Sequence, residues 1–390
     1  MSAGSRRAPA SSGNVSSGNV SSGNASPGNA SPGNASPAVR GPAMIDVATL
    51  AGVSHQTVSR VINNHPSVNP TTRTRVLAAI EQLGYRRNSA ARALVTGRSQ
   101  TLGVVTLNST LYGPASTLYG IEQAALESQY FMTVASLRST DRHAVRQAID
   151  RLVDQGVDGV VVIAPLVSVA DALADLSHEL PLVAVEGDAD ADVDVVTVDQ
   201  YAGAQSATSH LLELGHRTVW HVAGPNDWLE ARQRLAGWRS TLAEAGGEVP
   251  PPLTGDWSAR SGYDCGRVLA KLPEVTAVFV ANDSMAVGVL RAFHEYGRDV
   301  PNDISVVGFD DIPEAAYFTT PLTTVRQDFG EVGRRSLALL LDQIESGRRV
   351  KKRQVVESTL VVRASTAAST RSTGQKRPAG LRKSSTRATP

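Results

Sequence analysis

The 390-residue sequence contains one cysteine, Cys265. A single thiol excludes an internal disulfide and a multi-thiolate zinc site, and it suits a reducing cytoplasm. No run of about 18 apolar residues occurs, so no membrane span is implied. Arg6 and Arg7 are followed by Ser, Gly and Asn rather than an apolar stretch, which excludes a secretory signal. Catalytic signatures are missing as well. There is no Walker A loop to cradle phosphates and no GxSxG elbow for a nucleophilic serine. The eight histidines are scattered, with no HExxH and no paired metal spacing. Asp310 and Asp311 are neighbours at an expected strand end, so their side chains diverge and make a poor acid–base pair. Cys265 reads as a small buried residue rather than a nucleophile. The expectation is a protein with no metal and no cofactor that is not an enzyme.

Hydrophobic residues make up 41% and charged residues 19%, enough for a buried core. At about 150 residues per domain the length allows two or three domains. The net charge of +1 conceals a strong polarity. Residues 1–42 carry three arginines and no acid, and residues 43–98 carry seven arginines against Asp46 and Glu81. Residues 364–390 carry six Lys or Arg and no acid, which leaves 99–363 with a net charge of −13. A basic head on an acidic body is the pattern of a polyanion-binding segment joined to one that binds none.

Residues 11–35 repeat every five positions as SSGNV, SSGNA or SPGNA. Small polar residues at this density bury no core, so 1–43 reads as a disordered low-complexity leader. Met44 follows in frame and offers a second start. Residues 364–390 lack apolar periodicity and read as a disordered basic tail.

Between them the pattern changes once. Residues 44–86 read as short helices. Val47, Ala48 and Ala51 recur at helical spacing until Gly52 breaks the run. Ser54 is a good N-cap for a helix reaching Asn63 with Val58, Val61 and Ile62 inward. Asn69 with Pro70 starts another that Gly84 stops. Asn88–Val95 is a fourth candidate, within a linker at 87–98. The segment Asp46–Asn63 therefore reads as a helix-turn-helix whose second helix exposes His55, Gln56, Ser59 and Arg60. Such side chains reach base edges in a major groove, with Thr57, Asn63 and Arg73 placed for phosphates.

From Thr101 short apolar strands alternate with amphipathic helices. The strands expected are 101–107, 131–137, 157–163, 181–186, 195–199, 217–223, 277–281, 304–309, 322–325 and 354–362. Alternation of this kind implies parallel sheets covered on both faces, and this many strands implies two lobes within 99–363. Ligands bind such folds at the carboxyl ends of the strands. The fold class is thus an all-α helix-turn-helix head plus an α/β two-lobed body.

The segments VATLAGVSHQTVSRVIN and TRTRVLAAIEQLGYRRNSAARAL closely resemble the DNA-binding head of the lactose repressor (LacI/GalR) family. The resemblance continues through RLAGW, GDWSARSGY, ANDSMAVG, DISVVGFDDI and PLTTVRQDF and covers about residues 45–363. It implies a dimeric bacterial transcription regulator with a hinge helix and a body like the periplasmic sugar-binding proteins. The partners it implies are pseudo-palindromic operator DNA, a small saccharide effector and a second copy of the chain. By position, His55 and Gln56 would read bases with Arg60 below them. His55 stands where the family's type member has a tyrosine, and Ala43 where it has a capping threonine, which implies a weaker first-helix cap. The stretch 88–94 corresponds to the hinge helix. It implies DNA contacts from Asn88, with Arg92 near phosphates, Ala91 at a close approach, and Leu94 as an apolar wedge in the minor groove. An isolated helix this short is marginal in water, so it would order on DNA.

The same resemblance implies a sugar cleft. Arg234 would offer a guanidinium fork to paired hydroxyls, Asn282 a donor and an acceptor, and Asp310 two acceptors. Trp257 would stack on a ring and Phe329 add apolar surface. Glu186, Gln327, Leu111, Gly113 and Pro114 complete the lining. GDWSARSGY and RLAGW point to a galactoside-like inducer. The competing readings are a corepressor such as a purine and a solute-binding protein; the basic head and missing signal peptide oppose the latter. Cap or core roles also remain open for Asn282, Asp310 and Trp257.

Overall fold

The computed structural model describes residues 41–86, 93, 97–107, 110–137, 139, 141–163, 165–169, 173, 180–187, 193–348 and 351–369. The chain divides into two compact units, Met1–Arg87 and Asn88–Pro390. The leader repeat and most of the expected hinge helix, including Asn88, Ala91, Arg92 and Leu94, lie outside the described residues.

The first unit is three helices: α1 (Met44–Ala51), α2 (His55–Ile62) and α3 (Pro70–Leu83). Gly52 and Gly84 end α1 and α3 in the left-handed region, at φ +62° and +60°. The Ser54 hydroxyl accepts from the Thr57 N–H at 3.1 Å, and Asn69 Oδ1 accepts from the Thr71 N–H at 2.9 Å. These caps stand where the sequence places them. Ala43 cannot cap α1 through its side chain. Asp46 compensates, accepting the Ala43 N–H at 2.7 Å. Val47, Ala48, Ala51, Val58, Val61, Val76 and Ala79 form the core of the head.

The second unit holds two α/β lobes. The first carries β1 (Thr101–Leu107), β2 (Phe131–Leu137), β3 (Gly159–Ile163), β4 (Leu182–Val185) and β5 (Asp194–Val198). The second carries β6 (Trp220–Ala223), β7 (Leu253–Thr254), β8 (Ala277–Val280), β9 (Ser305–Asp310) and β10 (Thr323–Gln327). β11 (Arg353–Val356) then joins the first sheet and β12 (Ser358–Val361) the second. The sheet orders are β11-β5-β4-β3-β1-β2 and β12-β10-β9-β8-β6-β7, the same winding twice. Pairing is parallel except for β10 against β12. The helices are α4 (Tyr112–Glu127), α5 (Arg142–Asp154), α6 (Gln200–Glu213), α7 (Leu229–Glu244), α8 (Ala259–Leu269), α9 (Asp283–Glu295) and α10 (Phe329–Ser346). β3, β4, β5, β8 and β9 are buried along their whole length, as strands covered on both faces must be. α4 packs so closely on α10 that a Cβ on Gly120 or Gly333 would collide with the other helix's backbone.

Three expectations need correcting. The apolar stretch 354–362 is two strands in different sheets, broken at Glu357 where the chain passes between lobes. β7 was not expected; two residues behind Pro250, Pro251 and Pro252 make no readable run. Residues 364–369, assigned to a disordered tail, are pinned to the second lobe. Ser365 is fully buried, its Oγ accepts from the Thr323 N–H at 2.8 Å, and the Ser369 N–H donates to Leu214 O at 2.8 Å.

The second lobe's core contains a histidine. His221 is fully buried, its Nδ1 lies 3.0 Å from Phe279 O, and its ring stacks between Trp238 and Phe279. Burial holds its pKa down at about 4. The fold therefore carries it neutral while the unfolded chain takes up a proton below about 6.5. Its contribution is complete above that pH and is lost as pH falls through 4. The melting temperature of the body should drop across that window, and one histidine resonance should titrate near pH 4. A histidine set titrating entirely near 6.5 would contradict this.

Candidate functional site

Strands of both sheets deliver residues to one place beyond their carboxyl ends. Leu111, Tyr112, Gly113 and Pro114 follow β1 at the start of α4. Glu186 follows β4, and Gln200 follows β5. Trp228, Glu230 and Arg234 stand on and before α7. Trp257 follows β7, Asn282 follows β8, Asp310 ends β9 and Gln327 ends β10. A cleft opens among Leu111, Tyr112, Gly113, Pro114, Trp228, Glu230, Arg234, Trp257, Asn282, Asp310 and Gln327. Backbone bonds close one side of it, from Val167 N–H to Asp227 O (3.2 Å) and from Leu229 N–H to Pro165 O (2.9 Å).

The centre is Arg234, 3% exposed. Its Nε donates to Gln200 Oε1 at 2.9 Å, Nη1 donates to Ala281 O, and Nη2 lies 3.7 Å from Asp310 Oδ1. Gln200 Nε2 donates to Gln327 Oε1 (2.9 Å) and Glu186 Oε1 (3.2 Å), and Gln327 Nε2 donates to Asp310 Oδ1 (2.7 Å). Glu186 is held further by the Thr197 hydroxyl and by the Val198 N–H at 2.9 Å. One continuous network thus ties the first lobe, the crossovers and the second lobe. Trp257 meets Trp228 edge to face at 5.6 Å, and the Arg234 guanidinium lies 5.6 Å from the Trp257 ring centre. A Cβ on Gly224 would occupy the space of the Trp257 ring, so only glycine fits beneath it. The buried Trp257 Nε1–H has no partner among the described residues.

Charge and backbone strain concentrate here. Burial pushes Asp310 up to about 6 against the pull of Arg234 and Gln327, raises Glu186, and lifts Glu230 to about 8 with help from Glu186 and Asp310. Glu186, Trp257, Asp310 and Asp311 hold positive φ values of 56°, 73°, 112° and 54°. Side chains rarely adopt such angles unless the surroundings enforce them, and they gather at ligand sites. Asp310 turns into the cavity, whereas Asp311 faces Arg326 and Arg363, each at 2.6 Å.

Of the residues singled out from sequence, Leu111, Gly113, Pro114, Arg234, Trp257, Asn282, Asp310 and Gln327 line the cavity. Glu186 sits two hydrogen bonds behind it, through Gln200 to Gln327. Phe329 backs the wall, within 3.7 Å of a Cβ built on Gly113 and edge to face with Tyr112 at 5.8 Å. Asn282 also caps α9 through Met285 N–H at 2.9 Å, and its Nδ2 donates to Trp257 O. Tyr112, Gln200, Trp228 and Glu230 were missed. Glu230 lies four residues before Arg234, one helical turn away on the same face, and that spacing was the available signal.

On the head, α2 leaves His55, Gln56 and Arg60 exposed, with Thr57 and Ser59 half-buried. Asn63 Nδ2 approaches Ser59 Oγ at 3.4 Å. Arg73, expected near phosphates, is engaged within the head itself. Its guanidinium donates to Asn64 Oδ1 and to His65 O, both at 2.7 Å, and so clamps the loop after α2. No group of three metal-ligating side chains occurs among the described residues, and none of the described helices is long and apolar enough to cross a membrane.

Two family models match. Residues 43–88 match the bacterial regulatory proteins of the lacI family, and residues 208–366 match the periplasmic binding protein-like domain. The chain is 35% identical over 330 residues to the lactose operon repressor of Escherichia coli (strain K12), covering 83% of this chain and 91% of that one. The lac repressor dimer bound to operator and the anti-inducer ONPF superposes with a TM-score of 0.78 at 34% identity, covering 84% of this chain and all of that one. The regulator CelR in complex with cellobiose gives a TM-score of 0.63 at 33% identity, covering 83% and 99%.

Proposed function

We propose, from the premise that the chain belongs to the LacI family of bacterial regulatory proteins, that a small saccharide bound between its lobes releases it from operator DNA. As a member it is a transcriptional repressor with a DNA-binding head and a ligand-binding body, and not an enzyme. The observation that carries the saccharide is the cavity itself. It combines a buried guanidinium, carboxylates and amides with two indole rings, the pairing that sugar hydroxyls and the apolar face of a pyranose require. Both lobes contribute to it, so a ligand there changes how the lobes meet. The free Trp257 N–H is a donor for such a ligand.

The repressor acts in the cytoplasm as a homodimer. Tyr119, Leu126, Phe131 and Val134 leave large apolar surfaces exposed on α4 and the edge strand β2, where a second copy would cover them. Two heads then read two half-sites, with His55, Gln56 and Arg60 at base edges and Thr57, Ser59 and Asn63 near the backbone. The hinge role of Asn88, Ala91, Arg92 and Leu94 rests on the resemblance alone.

Arg60→Ala tests the head. A bidentate base contact is worth about 1–3 kcal/mol, so operator affinity should fall roughly 5- to 150-fold while non-specific DNA binding falls far less. Fluorescence anisotropy on upstream and scrambled duplexes measures both. Equal losses on the two duplexes would make Arg60 a phosphate contact instead.

A further inference from the structure

We propose that Glu230 enters the effector complex as the uncharged acid and donates a hydrogen bond to an oxygen of the saccharide, so that effector binding in alkaline solution takes up a proton. This rests on the saccharide reading of the cleft. The first support is hydrogen-bond bookkeeping. Glu186, Gln200, Arg234, Asp310 and Gln327 are all engaged with one another or with backbone. Glu230 lines the same cavity and has no hydrogen bond or ion pair among the described residues. Its carboxyl is therefore, like the Trp257 N–H, a polar group there that the protein itself leaves for a ligand.

Charge supplies the second support. The ionisable groups acting on Glu230 are Glu186 behind β4, Arg234 one turn along α7, and Asp310 at the end of β9. Tyr112, at the start of α4, lines the cavity opposite. One cation faces three carboxylates, and that cation's N–H groups already point to Gln200, Ala281 O and Asp310. A bound sugar displaces water and brings no countercharge, so an ionised Glu230 would be left buried and uncompensated. The neutral acid avoids this and gains a donor that a carboxylate lacks. Burial already holds Glu230 near 8 in the free protein, consistent with that assignment.

Isothermal titration with cellobiose as probe, from pH 6 to 9.5, tests the proposal. Affinity should be level below pH 8 and fall towards tenfold per unit above it. Repeating the titration at pH 8.5 in buffers of different ionisation enthalpy should show uptake of about 0.7 proton per sugar. Glu230→Gln keeps a donor in place, so it should bind cellobiose with a level profile and no proton uptake, whereas Glu230→Ala should bind more weakly than Glu230→Gln at every pH. A level wild-type profile, or a decline that persists in Glu230→Gln, would overturn the proposal while leaving the sugar site standing. Absence of binding to cellobiose, lactose and other saccharides at every pH would overturn the saccharide reading and this proposal with it.

Discussion

Replacing Arg234 with alanine should abolish the response to saccharide while leaving operator affinity within about threefold of wild type. The guanidinium is the hub of the cleft, and hydrogen bonds to charged groups contribute about 1.5–3 kcal/mol each. Loss of two such bonds to a ligand weakens it more than about 100-fold. The head lies in a separate unit, Met1–Arg87, so its base-reading side chains are untouched. Stability is the second readout. Removing the cation leaves Asp310, 7% exposed, and the adjacent Glu186 without their positive neighbour. Breaking a buried pair from one side costs about 3–5 kcal/mol. Adding Asp310→Asn to the alanine variant should restore part of that stability and none of the ligand binding. A variant that still released DNA at the wild-type sugar concentration would mean the effector binds elsewhere.

The second large effect is structural. Trp238 is fully buried on α7, stacks on His221, and donates its Nε1–H to Val219 O at 2.9 Å. Trp238→Ala removes an aromatic side chain from a close-packed core and leaves a buried carbonyl without that donor, at a combined cost of about 3–5 kcal/mol. For lobes of this size that lowers the melting temperature by roughly 10 °C. Calorimetry of the purified variant measures it. A change below about 1 kcal/mol would mean that the lobe collapses around the cavity and that the packing there is not specific.

The helices of the head were legible because their signals are local. Ser54, Asn69 with Pro70, Gly52 and Gly84 act on backbone groups within a turn of themselves. Buried strands such as Gly159–Ile163 announce themselves as short apolar runs for the same reason. The break at Glu357 is different. Nothing in RQVVESTLV records that its halves pair with Val195–Val198 in one lobe and Thr324–Gln327 in the other, because pairing partners lie outside the segment. Ala364–Ser369 looks like tail because small polar residues bury little apolar surface, yet its hydrogen bonds to Thr323, Val306 and Leu214 fix it. The cleft was legible in part. Leu111, Gly113, Pro114, Arg234, Trp257, Asn282, Asp310 and Gln327, singled out from sequence, line one cleft. Tyr112, Gln200, Trp228 and Glu230 carry no motif of their own and became visible once α4, α6 and α7 were placed in space. The contacts of Arg73 with Asn64 and His65 likewise carry no sequence signal, because they depend on how the loop after α2 folds back on α3.

The central claim is that a saccharide in the cleft and DNA at the head oppose one another. Coupling of this kind is reciprocal, so each must weaken the other by the same factor. Fluorescence anisotropy of the full-length protein on its own upstream DNA, titrated with a panel of mono- and disaccharides, measures it directly. The expected result is tight, salt-sensitive binding that one saccharide weakens by at least tenfold. Binding that no saccharide weakens, or that appears only when a ligand is added, would contradict it.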